Sequence, residues 1–248
     1  MGLAVLSASA AVPADQLMTS GTAQFAAAYE AWDAKRFGAA AKLFQQASAN
    51  QPASSTNFYW LGVAHFHQML QWQNAPGAST NRPASKAALD AALEAFTKAV
   101  ALDDRDAESH ALLGTLYGMK INGRLARAAW FGPRVVKHRD RAIAGGPDNP
   151  RVRYLAGMAQ FHTAAKPEEY RAALTTLLAA AKLFEAEAQH PPAPLEPRWG
   201  RSSCLTFIGR TYEVLGQPAK AAEYFRQALA AHPADHLAQA GLGRVEKK

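Results

Sequence analysis

Catalysis needs reactive side chains gathered at defined spacings, and this 248-residue chain, with eight histidines and one cysteine, offers little to gather. His65 and His67 stand two apart, so on a helix they point to different faces. No His-Glu-x-x-His or paired Cys/His zinc spacing occurs, and no glycine-rich phosphate loop is present. Glu168 and Glu169 follow Pro167 directly, where two carboxylates complement the dipole of a helix that starts there. Cys204 stands next to Leu205, a core position of the helical pattern, and reads as a packed small side chain rather than a nucleophile. None of the histidines has a serine or carboxylate partner at a recognisable spacing. The expectation is a protein that is not an enzyme, with no metal and no cofactor.

The residues that stand out are instead charged. The net charge is +7. Lys120, Arg124, Arg127, Arg134, Lys137, Arg139, Arg141, Arg151 and Arg153 face only Asp140 and Asp148 between positions 120 and 153, so that one stretch carries an excess equal to the whole charge. Within it, Trp130 and Phe131 interleave with arginines. That mixture suits an acidic protein, phosphate or an anionic membrane surface; alternatively the two aromatics pack an inserted turn onto the rest of the fold.

The elements that must carry these residues are helical. Alanine occurs 56 times, about 23% of the chain, and 49% of residues are hydrophobic. One cysteine excludes an internal disulfide, and no apolar run reaches the length of a membrane span. Leu205, Ile208, Gly209 and Tyr212, then Gly216, Ala221, Phe225, Ala228 and Pro233, describe two helices around a turn. Gly209 and Ala221 allow close approach while Tyr212 and Phe225 fill the space beside them. Parts of the same pattern recur as Ala28, Ala40, Phe44, Ala47 and Pro52; as Phe58, Leu61, Gly62, Ala92, Phe96 and Ala99; as Leu113, Gly114, Tyr117 and Ala142; and as Tyr154, Leu155, Gly157, Phe161, Ala173, Leu177 and Phe184.

These spacings resemble the tetratricopeptide repeat. The resemblance covers about residues 20–236 and implies an all-α solenoid of helix-turn-helix hairpins at 20–53, 54–105, 106–148, 149–190 and 197–236. A capping segment follows at 237–248. Two hairpins are lengthened, one over Gln71–Pro83 as a longer loop or a helix extension and one over Ile121–Arg141, and an irregular helical bundle is the alternative fold. Asp106 and Asn149 read as helix N-caps. Residues 1–19 read as a signal-peptide remnant or flexible tail, with Ala8-Ser9-Ala10 as a cleavage site, which points to a periplasmic or secreted protein, or to a cytoplasmic one if the run is only a tail.

The resemblance also implies which residues face a concave groove: Tyr59, Trp60, Phe66, His67, Met119, Tyr154, Phe161, His162, Phe207 and Arg210. It thereby implies a non-catalytic scaffold that captures a protein or peptide in that groove. Arg124, Arg127, Arg134, Lys137, Arg139 and Arg141 form the basic patch, which would steer an acidic partner or, in the alternative function, bind nucleic acid or an anionic membrane. Register shifts at the lengthened hairpins would instead bury several of the groove aromatics.

Overall fold

A computed structural model describes residues 12–74 and 81–247, and among them the chain forms eleven α-helices and no strand. Ten pair into five antiparallel hairpins: α1 (Ala14–Ala31) with α2 (Ala34–Asn50), α3 (Ser55–Asn74) with α4 (Arg82–Leu102), and α5 (Ala107–Ile121) with α6 (Leu125–Gly145). The last two are α7 (Pro150–Thr163) with α8 (Pro167–Ala188) and α9 (Arg201–Val214) with α10 (Pro218–Ala231). A final helix, α11 (His236–Val245), packs on α10 and α9.

Local chemistry sets the helix starts. The carboxylates of Asp33, Asp106 and Asp235 and the Asn149 amide oxygen each accept from backbone N–H groups of the first turn, caps worth about 1 kcal/mol apiece. Pro150, Pro167 and Pro218 occupy first-turn positions, where a missing N–H costs nothing. Within four hairpins a glycine of the first helix receives a large side chain of the second, and a Cβ added at Gly21 of α1 would come within 2.5 Å of Phe44 of α2. A Cβ added at Gly62, Gly157 or Gly209 would come within 2.6 Å of Phe96, 2.7 Å of Leu177 or 2.8 Å of Phe225. At Gly114 the nearest atom of α6 lies 3.5 Å from such a Cβ, so the third hairpin is looser.

The structure departs from the sequence reading in two places and decides between alternatives in a third. The expected tail or signal remnant gives way at Ala14 to α1, whose Leu17 and Met18 are buried; the expected cleavage site lies outside the described residues. Of the two forms open to the lengthening around Gln71–Pro83, loop or helix extension, the described residues show extension, α3 running to Asn74 over 20 residues and α4 starting at Arg82 and running 21. The basic segment is no inserted turn but α6 itself, continuous through Pro133. A proline inside a helix costs about 3 kcal/mol. Here tertiary contacts hold the helix together on both sides of it: Phe131 stacks on Tyr117 at 5.9 Å, His138 stacks on the same ring at 5.8 Å, and Ala142 is buried.

The superhelix closes on itself. Residues 189–200, the proline-rich connector between α8 and α9, cross the inner side and dock on the first two hairpins. The Trp60 indole N–H donates to the Leu195 carbonyl at 3.0 Å, the Trp199 indole N–H to the Tyr59 hydroxyl at 3.1 Å, and the Gly200 N–H to the Tyr29 hydroxyl at 3.3 Å. The chain turns into the dock through left-handed backbone at Leu195 (φ 60°) and Gly200 (φ 103°). For Leu195 that conformation costs on the order of 1 kcal/mol. His232, at the end of α10, donates from Nε2 to the Tyr29 carbonyl at 2.7 Å and so ties the last hairpin to the first.

Behind this dock sits a buried charge cluster. The Glu108 carboxylate accepts from the Tyr59 hydroxyl, from Asn149 Nδ2 at 2.7 Å and from Arg151 Nε at 2.7 Å. Arg151 also donates from Nη2 and Nη1 to the two oxygens of Glu187, at 2.5 and 3.1 Å. Glu108 and Arg151 are 7% and 3% exposed. Burial opposes the Arg151 charge, but Glu108 and Glu187 outweigh it and raise the guanidinium further above its ordinary value; burial and Glu108 together push the Tyr59 hydroxyl well up. Side chains of the second, third and fourth hairpins and the connector are thus joined at one point.

Both kinds of contact can be tested by stability. Gly209→Leu should overpack Phe225 and lower the unfolding free energy by about 1–3 kcal/mol, and an unchanged melting temperature would contradict the contact. Arg151→Met strands the Glu108 carboxylate and should cost about 3–5 kcal/mol in denaturant unfolding, while adding Glu108→Gln should recover part of that loss. Two independent, additive losses would show that the pair is not coupled.

Candidate functional site

The groove positions implied by the sequence do come together, but as core. Tyr59, Trp60, Phe66, His67, Tyr154, Phe161 and Phe207 are all buried, none more than 8% exposed. For Tyr59, Trp60, Phe66 and His67 the cover is the connector: Leu195 and Trp199 hydrogen-bond Trp60 and Tyr59, and the Trp199 ring lies 5.2 Å from His67 and 6.3 Å from Phe66. His67 donates from Nδ1 to the Val63 carbonyl at 2.9 Å, and Phe25, Tyr29, Phe37, Phe66 and Trp199 surround its ring at 5.2–5.6 Å. Burial there lowers its pKa to about 4, so the ring is neutral at physiological pH. At the other end of the inner side Phe161 and Phe207 meet edge to face at 5.5 Å, covered by the Arg210 guanidinium 4.9 Å above each ring. Of the ten positions, only His162 is exposed, and Met119 and Arg210 are half-buried. An inward-facing aromatic set is legible from repeat spacing; that the chain fills the space itself is not, because Trp199 lies in a connector with no repeat position.

The basic patch fares differently. Arg124, Arg127, Arg134, Lys137, Arg139 and Arg141 are all on exposed positions at or along α6. Arg139 pairs with its neighbour Asp140, and Arg141 with Asp104. Two residues counted in the charged stretch are spent elsewhere: Arg151 is the buried partner of Glu108, and Lys120 holds Asp90 at 2.9 Å. Trp130, which could have packed a turn, is 66% exposed, with the Arg134 guanidinium 5.2 Å above its ring. Phe131 does pack inward, on Tyr117.

What sets α6 apart is how little of it is covered. The helices α2, α4, α8 and α10 bury seven, seven, five and four residues, whereas α6 buries Ala142 alone. It packs along α5 and barely meets α7. Its inner contact with α5 is partly polar: His110 Nδ1 and His138 Nδ1 share a hydrogen bond at 2.8 Å, and burial, then the neighbouring His110, lowers His138 to about 4. On the outward side Leu125, Ala129, Val136 and Ile143 recur at helical spacing and form one apolar line, with Leu125 88% exposed. Arg127, Arg134 and Arg141, seven residues apart, form a second line that includes Trp130 and Lys137. The sequence signal for this surface is the charge excess; its apolar line is hidden as long as the segment is read as a turn instead of a helix.

No constellation of reactive groups accompanies it. Cys204 is buried, its thiol pushed up by burial, with its Sγ 3.4 Å from the Leu177 carbonyl. Among the described residues no group of three or more His, Cys, Asp or Glu side chains is placed to hold a metal ion, and no helix is long and apolar enough to cross a membrane.

Comparison with known proteins agrees with this geometry. Tetratricopeptide repeat family models match residues 25–74 and 203–245. No curated protein matches the sequence. Among solved structures, a thermophilic tetratricopeptide-repeat protein of Thermus thermophilus superposes with a TM-score of 0.67 at 16% identity, over 95% of this chain and 100% of that one. A chain of the Cut9–Hcn1 hetero-tetramer of the APC/C superposes with a TM-score of 0.64 at 14% identity, over 94% of this chain and 36% of its own length. Identities this low establish likeness of fold alone. With repeat matches near both ends and five hairpins stacked between Ala14 and Ala231, the chain has the fold of a tetratricopeptide-repeat array, an all-α solenoid.

Proposed function

We propose that this protein is a non-catalytic interaction scaffold that docks an acidic protein partner on the outward face of α6 rather than in its concave groove. The fold is one that supports protein–protein interaction in general. The single observation that carries the finer reading is the coexistence on α6 of an uncovered apolar line and an exposed Trp130 with a parallel line of arginines. Exposed aromatic and aliphatic side chains beside arginine are the composition of an interface centre. The positive rim would speed encounter with a negative partner, and the apolar line would hold it. Nucleic acid is the weaker occupant, because Arg151 is buried and Lys120 and Arg141 are paired, which leaves a narrow cationic stripe instead of a broad field. Export to a periplasm belongs to the same proposal and rests on the apolar, small-residue run before residue 15.

A photo-crosslinking amino acid at position 130 should capture a partner from native extract, and the same group at His162, the exposed remnant of the groove, should not. With that partner purified, Trp130→Ala should weaken binding by about 1–3 kcal/mol, chiefly through faster release. Arg134→Glu with Arg139→Glu should slow association about tenfold at low salt, the loss shrinking as salt is added. Capture from position 162 with none from position 130 would return the binding site to the groove.

A further inference from the structure

The second hairpin overshoots the third. Asp90 stands eight residues into α4, yet its carboxylate meets Lys120 Nζ, one residue from the end of α5, at 2.9 Å. The part of α4 before Asp90, about 12 Å of helix, therefore projects past the turn between α5 and α6. Along that projection Arg82, Lys86, Leu89 and Asp90 share one face of the helix. Opposite them stand Met119 and Lys120 of α5 and Arg127 and Phe131 of α6. The space between is a cleft of about 710 Å³ on the edge of the solenoid, away from the filled inner side. It owes its existence to the lengthening of α3 and α4, for which the repeat pattern itself has no use.

Its walls are chemically uneven. Four cations, Arg82, Lys86, Lys120 and Arg127, line it against a single carboxylate. That carboxylate, Asp90, is engaged by Lys86 and Lys120 at 2.9 Å each, which holds it below its usual range. Arg127 reaches the Lys120 carbonyl at 3.3 Å, a contact that leaves its charge uncompensated. Between the cations lie half-buried Leu89, Met119 and Phe131, with the Lys120 ammonium 5.8 Å above the Phe131 ring. We propose that this cleft binds an acidic peptide segment, its carboxylates set between Arg82, Lys86 and Arg127 and one apolar side chain against Leu89, Met119 and Phe131. A free phosphate would leave the apolar patch unused, and about 12 Å of wall is too short to track a nucleic-acid backbone. The proposal goes beyond the α6 docking reading and stands without it, since three of the four cations belong to α4 and α5.

The test uses the full chain and a fluorescein-labelled peptide, Glu-Glu-Phe-Glu-Asp, followed by anisotropy at low and physiological salt. Wild-type protein should bind it saturably. Arg82→Glu with Lys86→Glu, both at exposed positions, should weaken binding at least about tenfold with an unchanged circular dichroism spectrum, while Lys137→Glu with Arg139→Glu, exposed further along α6 and outside the cleft, should change it by less than about twofold. Replacing the peptide's Phe by Ser should cost about fivefold, and inorganic phosphate should compete only at far higher concentration. No saturable binding, equal losses in the two charge-reversed variants, or tighter binding of an oligonucleotide of the same charge would each overturn the proposal. Because the second pair of substitutions belongs to the basic patch of α6 and lies outside the cleft, losing this site and losing that reading give different patterns.

Discussion

The buried pair of Glu108 and Arg151 is the constraint around which the rest of the molecule is arranged. Two charges that are 7% and 3% exposed survive in a protein only when nearly every donor and acceptor is matched. Here the matching groups come from Tyr59, Asn149, Glu187 and, through Tyr59, Trp199. Satisfying one guanidinium thus requires three hairpins and the connector to meet at a fixed distance. A regular solenoid, in which each repeat touches only its neighbours, has no such requirement. This one is tied across its inner side.

That tie decides where the protein can meet a partner. The connector brings Leu195 and Trp199 onto Trp60, Tyr59 and His67, so the surface that a tetratricopeptide-repeat array offers to a peptide is consumed in folding. What is left uncovered is on the outside and at the edge. There α6 buries one residue, and the overlong α4 leaves an open cleft against the turn between α5 and α6. Both features arise where the chain departs from the repeat. The regular parts hold the fold, and the irregular parts carry the surfaces proposed for binding.

The same division explains what can be read from the sequence. The close approach of Gly209 to Ala221 and the caps at Asp106 and Asn149 are legible because each is a local rule, a close approach or a first-turn acceptor; that the Phe225 ring lies nearer still to Gly209, and Phe96 to Gly62, comes from the structure. Trp60, His67 and Phe161 are legible as inward-facing but not as buried, since for Trp60 and His67 burial depends on the connector, far along the chain from both. Arg151 reads as surface charge in the sequence, because Glu108 and Glu187 lie 43 and 36 residues from it and no spacing links them. Helix α6 is obscured by Gly132-Pro133, whose local cost is met by the stacking of Phe131 and His138 on Tyr117. Local signals recover the hairpins; the long-range contacts that close them decide the site.

Whether the solenoid is closed, with its groove filled by its own connector, can be measured as a distance across the closure. Nitroxide labels on cysteines introduced at exposed Glu30, near the end of α1, and exposed Gln239, in α11, with buried Cys204 replaced by Ala, can be read by double electron–electron resonance. The closed structure predicts one narrow distance distribution in the otherwise wild-type chain, and a broader, longer one when Trp199→Ala removes the dock. A broad distribution before Trp199 is touched, or one that Trp199→Ala leaves unchanged, would contradict the closure and reopen the concave groove as the place where a partner binds.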